Sequence, residues 1–173
     1  LSDEPRLSLP MNHAEKIQRL AEQIKASAGA APLGLAKDTS NLFRARKQTP
    51  KQKLDVRQFN EVLAINVEER WVEVEGMTPY VKLVDAMLEQ GLMPAVVPQL
   101  KSITIGGAAA GVGIEATSFK YGLVHETLQE LEILLPDGRV VLATPDNEYR
   151  DLFHGFPNSY GTLGYVLKLK ALA

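Results

Sequence analysis

The sequence predicts an α+β protein in two lobes, a small α/β lobe over about residues 11–97 followed by a mainly antiparallel β lobe over about 98–173. Three observations predict it. Apolar residues recur at helical spacing in the first half, at Ile17, Leu20, Ala21, Ile24 and Ala28 and again at Tyr80, Val81, Val84, Met87 and Leu88. The second half carries Pro136-Asp137-Gly138 between two β-rich runs, a strong hairpin signal. It closes on Leu167-Lys168-Leu169-Lys170-Ala171-Leu172, which alternates as a half-exposed strand does.

Residues 1–10 read as an extended polar lead-in held open by Pro5 and Pro10. Asn12 caps the first helix, Glu15 stands where a capping-box partner belongs, and Gly29 supplies the stop. A short apolar segment then turns into the polar loop Asp38-Thr39-Ser40-Asn41, either a phosphate cradle or an Asx/ST turn that satisfies its own backbone. Arg44, Arg46, Lys47, Lys51 and Lys53 follow without apolar rhythm and read as a solvated loop. Strand character resumes at Leu54–Val56, and Val62–Val67 pairs with Trp71–Glu75, where Val72 and Val74 alternate with Glu73 and Glu75. Thr78 caps the second helix with Pro79 at its first position, and Gly91 ends it. Leu92–Val97 reads as a short strand. Farther on, Val124–Leu135 and Arg139–Thr144 are strands, Pro145–Phe156 is loop, and Gly161 and Gly164 introduce the last strand.

Between Val97 and Glu115 the chain stops looking like ordinary core. Gly106, Gly107, Gly111 and Gly113 fall among small residues, flanked by Ser102, Thr104, Thr117 and Ser118. Glycines let several main-chain N–H groups converge on one anion, and a diphosphate is the natural candidate. Tight helix packing or a plain loop has the same composition.

Composition bounds the rest. A chain of 173 residues, 45% hydrophobic and 23% charged, is that of a globular protein with one core or two small lobes. A net charge of −2 excludes a strongly basic nucleic-acid footprint. With no cysteine, neither a disulfide framework nor a thiolate metal site can form. His13, His125 and His154 show no ligand spacing, so no metal site is expected. No apolar run reaches the length of a membrane span and no signal-like leader opens the chain, so the expected location is cytoplasmic.

Several motifs now stand in one order: the Asp38-Thr39-Ser40 loop, the Thr78-Pro79 helix, Ile105-Gly106-Gly107, Lys120-Tyr121-Gly122, the Leu135-Pro136-Asp137-Gly138 hairpin, Asp151-Leu152-Phe153 and Gly161-Thr162-Leu163-Gly164-Tyr165-Val166. This order resembles the FAD-binding (PCMH-type) domain of the vanillyl-alcohol oxidase and p-cresol methylhydroxylase superfamily, from about Asn12 onward. Gly111 to Leu123 looks most like the delta-24-sterol reductase (Diminuto) branch and its bacterial relatives.

The resemblance implies FAD extended between two lobes and a separate C-terminal substrate domain beyond this chain. Leu35, Ala36, Lys37, Asp38, Thr39, Ser40 and Asn41, with Pro98 and Ser102, Ile103, Thr104, Ile105, Gly106 and Gly107, would hold the diphosphate through main-chain N–H groups. Gly111, Val112, Gly113, Glu115, Ala116, Thr117 and Ser118, with Tyr121, would follow the ribityl chain and ring. Gly161, Gly164, Tyr165 and Val166 would meet the adenine. A dianion held by amides needs no arginine, so a net charge near zero does not oppose this.

Ala36, Lys37 and Asp38 stand where relatives commonly have glycine, and no histidine lies near that loop. With cysteine absent as well, the expected cofactor is non-covalent FAD. The implied activity is that of a flavin-dependent oxidoreductase acting on a small organic substrate with an electron donor or acceptor, this segment alone being inactive. Its catalytic residues are not named, and Tyr121 and His125 are the titratable groups nearest the ring side. The alternative is an interaction module that keeps the fold and holds no flavin, which the altered first loop favours.

Overall fold

A computed structural model describes residues 11–27, 32–38 and 51–173. Helix α1 (His13–Ala26) begins as its sequence dictates. Asn12 Oδ1 accepts from the Glu15 amide at 3.0 Å while the Glu15 carboxylate accepts from the Asn12 amide at 2.8 Å, closing both halves of a capping box. Ser27 caps the other end, and the expected stop at Gly29 lies outside the described residues.

Strands β1 (Leu33–Ala36) and β2 (Gln52–Asp55) pair in parallel, Leu33 opposite Gln52 and Ala36 opposite Asp55. Strands β3 (Val62–Asn66) and β4 (Trp71–Glu75) form the expected antiparallel hairpin. Then come α2 (Tyr80–Leu88), α3 (Ile105–Ala110), α4 (Ser118–Tyr121), β5 (Leu128–Leu134), β6 (Val140–Ala143), α5 (Arg150–Gly155) and β7 (Tyr165–Leu172). The second sheet has five strands in the order β3-β4-β7-β5-β6, every pair antiparallel. The last strand is thus the middle one. Strands from both sides of residue 97 share this sheet, so the division read from composition does not mark a break between sheets. Alternation shows which face of a strand is buried and never which strand lies beside it.

Three expectations are corrected by local hydrogen bonding. Thr78 does not cap α2: Pro79 stands at the cap in an extended conformation, bridged to Thr104, and the buried Thr78 turns its hydroxyl toward the Glu61 carbonyl. Leu92–Val97 forms no strand, since Pro94 removes a donor from its middle and Pro98 another just after it. Val124–Thr127 is a 3₁₀ turn instead of the start of β5. Glu126 accepts from the Leu123 amide and Thr127 donates to the Val124 carbonyl, each at 2.7 Å. Within the segment read as loop, α5 carries Phe153 into the core, with buried Phe156 just beyond it.

The core lies in two parts. Val72, Val74, Leu131, Ile133 and Leu169 of the sheet pack with Tyr80, Leu83 and Met87 of α2 and Ile105 and Ala109 of α3. Leu20 of α1 packs with Leu54, Val56, Phe59, Leu134 and Leu167. Each fully buried side chain of this kind contributes roughly 1.5–3 kcal/mol. Charge holds α1 as well. His13 Nδ1 lies 2.7 Å from Glu75 Oε1, its Nε2 lies 2.6 Å from Glu132 Oε1, and Lys16 Nζ donates to Glu75 Oε2 at 2.7 Å.

Candidate functional site

The glycine-rich stretch divides into a packed part and an open part. Ile105–Ala110 winds into α3, and Thr104 Oγ1 caps it by accepting from the Gly107 amide at 3.2 Å. The Ile105 amide donates to the Thr78 carbonyl at 3.0 Å and the Gly106 amide to the Gly76 carbonyl at 2.8 Å. These three amides, read from the sequence as diphosphate donors, are already paired, and Ile105 and Gly106 are buried. Glycine at 106 answers a packing need: an added Cβ would sit 2.6 Å from the Gly76 carbonyl oxygen. Tight helix packing, the plainer alternative, therefore accounts for this part.

Past Gly111 the chain opens. The main-chain N–H groups of Val112, Gly113, Ile114, Ala116 and Thr117 have no hydrogen-bond partner among the described residues. Three ties hold the run in place. Thr117 Oγ1 donates to the Ala95 carbonyl at 2.9 Å, Ser118 Oγ accepts from the Glu115 amide at 3.0 Å, and the Gly113 carbonyl accepts from the Val124 amide at 3.1 Å. The first draws the run toward the segment before Pro98. Between them lies an open depression of about 550 Å³ lined by Val97, Gln99, Ile114, Glu115 and Ala116.

The surroundings are mixed in polarity. Ile114 is 74% and Phe119 90% exposed, large values for such side chains, and Val112 and Tyr121 are exposed too. Burial pushes the Tyr80 phenol well above its ordinary pKa, with the charge of Glu115 adding to the effect, so Tyr80 stays neutral. Unpaired amides beside apolar side chains suit a ligand that combines hydrogen-bond acceptors with flat apolar surface.

Residues 15–144 match the family described as the FAD binding domain. The chain belongs to this family. Its fold is that of a PCMH-type FAD-binding domain and the family's cofactor is FAD. The chain is 40% identical to the delta(24)-sterol reductase of Pisum sativum over 114 residues, 66% of this chain and 20% of that protein. It is 29% identical to the delta(24)-sterol reductase of Rattus norvegicus over 172 residues, covering 96% of this chain and 32% of that one. Cytokinin dehydrogenase 5 of Arabidopsis thaliana is 24% identical over 173 residues, 97% of this chain and 32% of the other. Among solved structures, 6-hydroxy-D-nicotine oxidase from Arthrobacter nicotinovorans superposes with a TM-score of 0.76 at 17% identity, over 93% of this chain and 34% of that chain. The chain thus spans about a fifth to a third of the relatives it matches.

In this FAD-binding domain the other sequence-derived cofactor residues fall in separate places. Leu35 and Ala36 end β1, Lys37 and Asp38 follow, and Thr39, Ser40 and Asn41 lie outside the described residues. Pro98 sits between Val97 and Gln99 at the depression, Ser102 is exposed, and the Ile103 carbonyl accepts from the Tyr80 amide at 2.9 Å. Gly164 serves packing, since a Cβ there would lie 2.5 Å from the Leu134 carbonyl oxygen, and Gly161 with its positive φ shapes the turn before β7. Val166 pairs with Ile133 on one side, and its carbonyl oxygen lies close against Gly76. His125 Nδ1 is buried without a hydrogen-bond partner among the described residues. No helix among the described residues is long and apolar enough to cross a membrane.

Val97, Gln99 and Ile114 lie inside the stretch singled out in the sequence but are not among the residues assigned a cofactor contact. Val97 and Gln99 flank Pro98, and Ile114 interrupts the run of chosen residues, so adjacency was the available signal. Gly76, the partner of Gly106, carried no signal, because nothing in its own neighbourhood points to a residue thirty positions farther along the chain.

Proposed function

We propose that this chain holds FAD non-covalently, with Val112, Gly113, Ile114, Ala116 and Thr117 offering main-chain donors along the depression beside Val97 and Gln99. The observation that carries the reading is that run of unpaired amides, of which Ile114 and Ala116 belong to residues lining an open depression. FAD supplies hydride or electron transfer when bound, and the chain's own residues bind and orient it. Exposed Ile114 and Phe119 give apolar surface beside the donors. The absence of cysteine supports a non-covalent link. The whole protein is then a flavin-dependent oxidoreductase whose organic, sterol-like hydrophobic substrate is bound largely by a C-terminal domain, and this segment alone is inactive. Its likeness to sterol reductases over residues shared with them supports the substrate class.

The test is direct. The purified chain, mixed with FAD and desalted, retains a yellow chromophore and quenches or enhances flavin fluorescence on titration. A colourless protein that takes up no added FAD overturns the reading and favours the flavin-free interaction module.

A further inference from the structure

We propose that His13 is a positioning residue for the cofactor-side stretch: as an imidazolium between Glu75 and Glu132 it clamps α1 across β4 and β5 and steadies the Glu75–Gly76 turn, whose carbonyl holds the Gly106 amide. The coupling to cofactor binding rests on the reading that FAD lies along residues 112–117, which α3 delivers.

The geometry fixes the proton. Both ring nitrogens face carboxylate oxygens, at 2.7 and 2.6 Å. A neutral imidazole has one N–H and one lone pair, and a lone pair cannot face a carboxylate at that distance without repulsion. Both nitrogens therefore donate. Burial by itself lowers the His13 pKa, but the hydrogen bonds to Glu132 and Glu75 and their charges overcome it and raise it to about 9.

The charges around the ring close on themselves. From β4, the fully buried Glu75 takes His13 on one oxygen and both Lys16 Nζ, at 2.7 Å, and the Glu61 amide, at 2.9 Å, on the other. Glu73 on β4 is held by Lys168 of β7 at 2.7 Å, and Lys168 stands opposite Glu132 in the sheet register. Glu130 on β5 faces Lys170 at 3.8 Å, and the Glu61 carboxylate is taken by Lys82 of α2 at 2.7 Å. The Phe59 ring packs edge-on against the imidazole, at 5.7 Å between centroids. Among the described residues Glu75 and Glu132 are thus paired directly with Lys16 and the imidazolium, while Lys168, held by Glu73, meets the Glu132 charge only through space. Loss of the ring proton leaves one carboxylate unmatched at a buried site.

From there the path to α3 is short. The Gly76 amide donates to the Leu167 carbonyl at 2.8 Å, the Gly76 carbonyl accepts from Gly106 at 2.8 Å, and the Thr78 carbonyl accepts from Ile105 at 3.0 Å. Residues 75–78 therefore hold two of the first amides of α3 while the Glu75 carboxylate holds α1.

The experiment follows amide hydrogen exchange at Gly106, corrected for intrinsic exchange, and the imidazole titration by NMR, from pH 6 to 10. It uses the full chain and its His13→Gln and Glu132→Gln variants, with FAD affinity measured separately by fluorescence near pH 7. The His13 ring is expected to titrate near 9. His13→Gln is expected to lower Gly106 protection about tenfold and FAD affinity about fivefold while Leu169 in the central strand keeps its protection. Glu132→Gln shifts the pH at which Gly106 loses protection down by about one unit. The proposal is overturned by a His13 pKa near 6.5, by equal Gly106 protection in wild type and His13→Gln, or by lost protection with unchanged FAD affinity. If His13→Gln does not fold, Glu132→Gln decides, and an unmoved midpoint overturns the clamp. If the wild type takes up no FAD, the cofactor reading fails and Gly106 exchange still decides the clamp.

Discussion

The Gly106 amide and the Gly76 carbonyl oxygen lie 2.8 Å apart, and this main-chain bond ties the first turn of α3 to the turn that leaves β4. The approach works because neither residue carries a Cβ. One added at Gly106 would sit 2.6 Å from that oxygen and 3.0 Å from Gly76 Cα, while one added at Gly76 would sit 2.2 Å from the Val166 carbonyl oxygen. Backbone has to move in either case. Gly106→Ala is expected to destabilise the chain by about 2–4 kcal/mol. Gly155→Ala, with nothing within 4 Å of the new methyl group, should stay within about 0.5 kcal/mol of wild type. Urea denaturation midpoints of the two variants decide it, and equal midpoints would refute the packing role.

The walls of the depression are tied by one side chain, Thr117, whose hydroxyl reaches the Ala95 carbonyl at 2.9 Å. Thr117→Val keeps the shape and removes the bond. The expected cost is about 1 kcal/mol in stability. If FAD occupies the depression, its affinity also drops about three- to tenfold as the unpaired amides lose register with Val97 and Gln99. A fluorescence titration with unchanged Kd would remove Thr117 from the site.

Stability should depend on pH through the His13 cluster, with the sign set by its two kinds of group. The folded pKa of His13 is raised, so its contribution is complete below 6.5 and is lost as pH climbs from 6.5 through about 9. Discounted for solvent screening of a part-exposed ring, the loss is about 1–2 kcal/mol. Burial tends to raise the Glu75 pKa, but hydrogen bonds from His13 and Lys16 hold it below the ordinary value. Its contribution is therefore present above the ordinary carboxylate range and fades as pH falls through and below it. Urea midpoints between pH 3 and 10 should show both limbs for the wild type. His13→Gln should lack the alkaline limb, and an alkaline limb of the same size in that variant would contradict the assignment.

Lys16 is almost fully buried at 6% exposure, an unusual place for a lysine, and its partner Glu75 is at 0%. Lys16→Met removes one of the two cations that match the cluster and should cost about 3 kcal/mol. Combining it with Glu75→Gln should recover part of that loss, because the uncompensated buried charge goes with it. Melting curves of the single and double variants measure the coupling, and simple additivity would show that the pair does not interact.

What the sequence determined by itself was whatever neighbours a few residues apart can settle. The Asn12 and Glu15 capping box, the hairpin joining β3 and β4, and the turn at Gly138 with its positive φ all follow from side chains and backbone preferences within a few positions. The open half of the candidate site was legible for the same reason, since Gly111 to Ser118 is one continuous run. Tertiary structure decided the rest. Placing β7 between β4 and β5 buries Leu167, Leu169 and Ala171, and that pairing depends on strands far apart in the chain. Gly106 looked like a ligand cradle until Gly76 arrived against it, and His13 looked isolated until Glu132, 119 residues away, closed on its ring. A hydrogen bond is satisfied by whatever donor or acceptor the fold brings near. Local pattern reports only what each group needs, and the packed chain determines which partner meets that need.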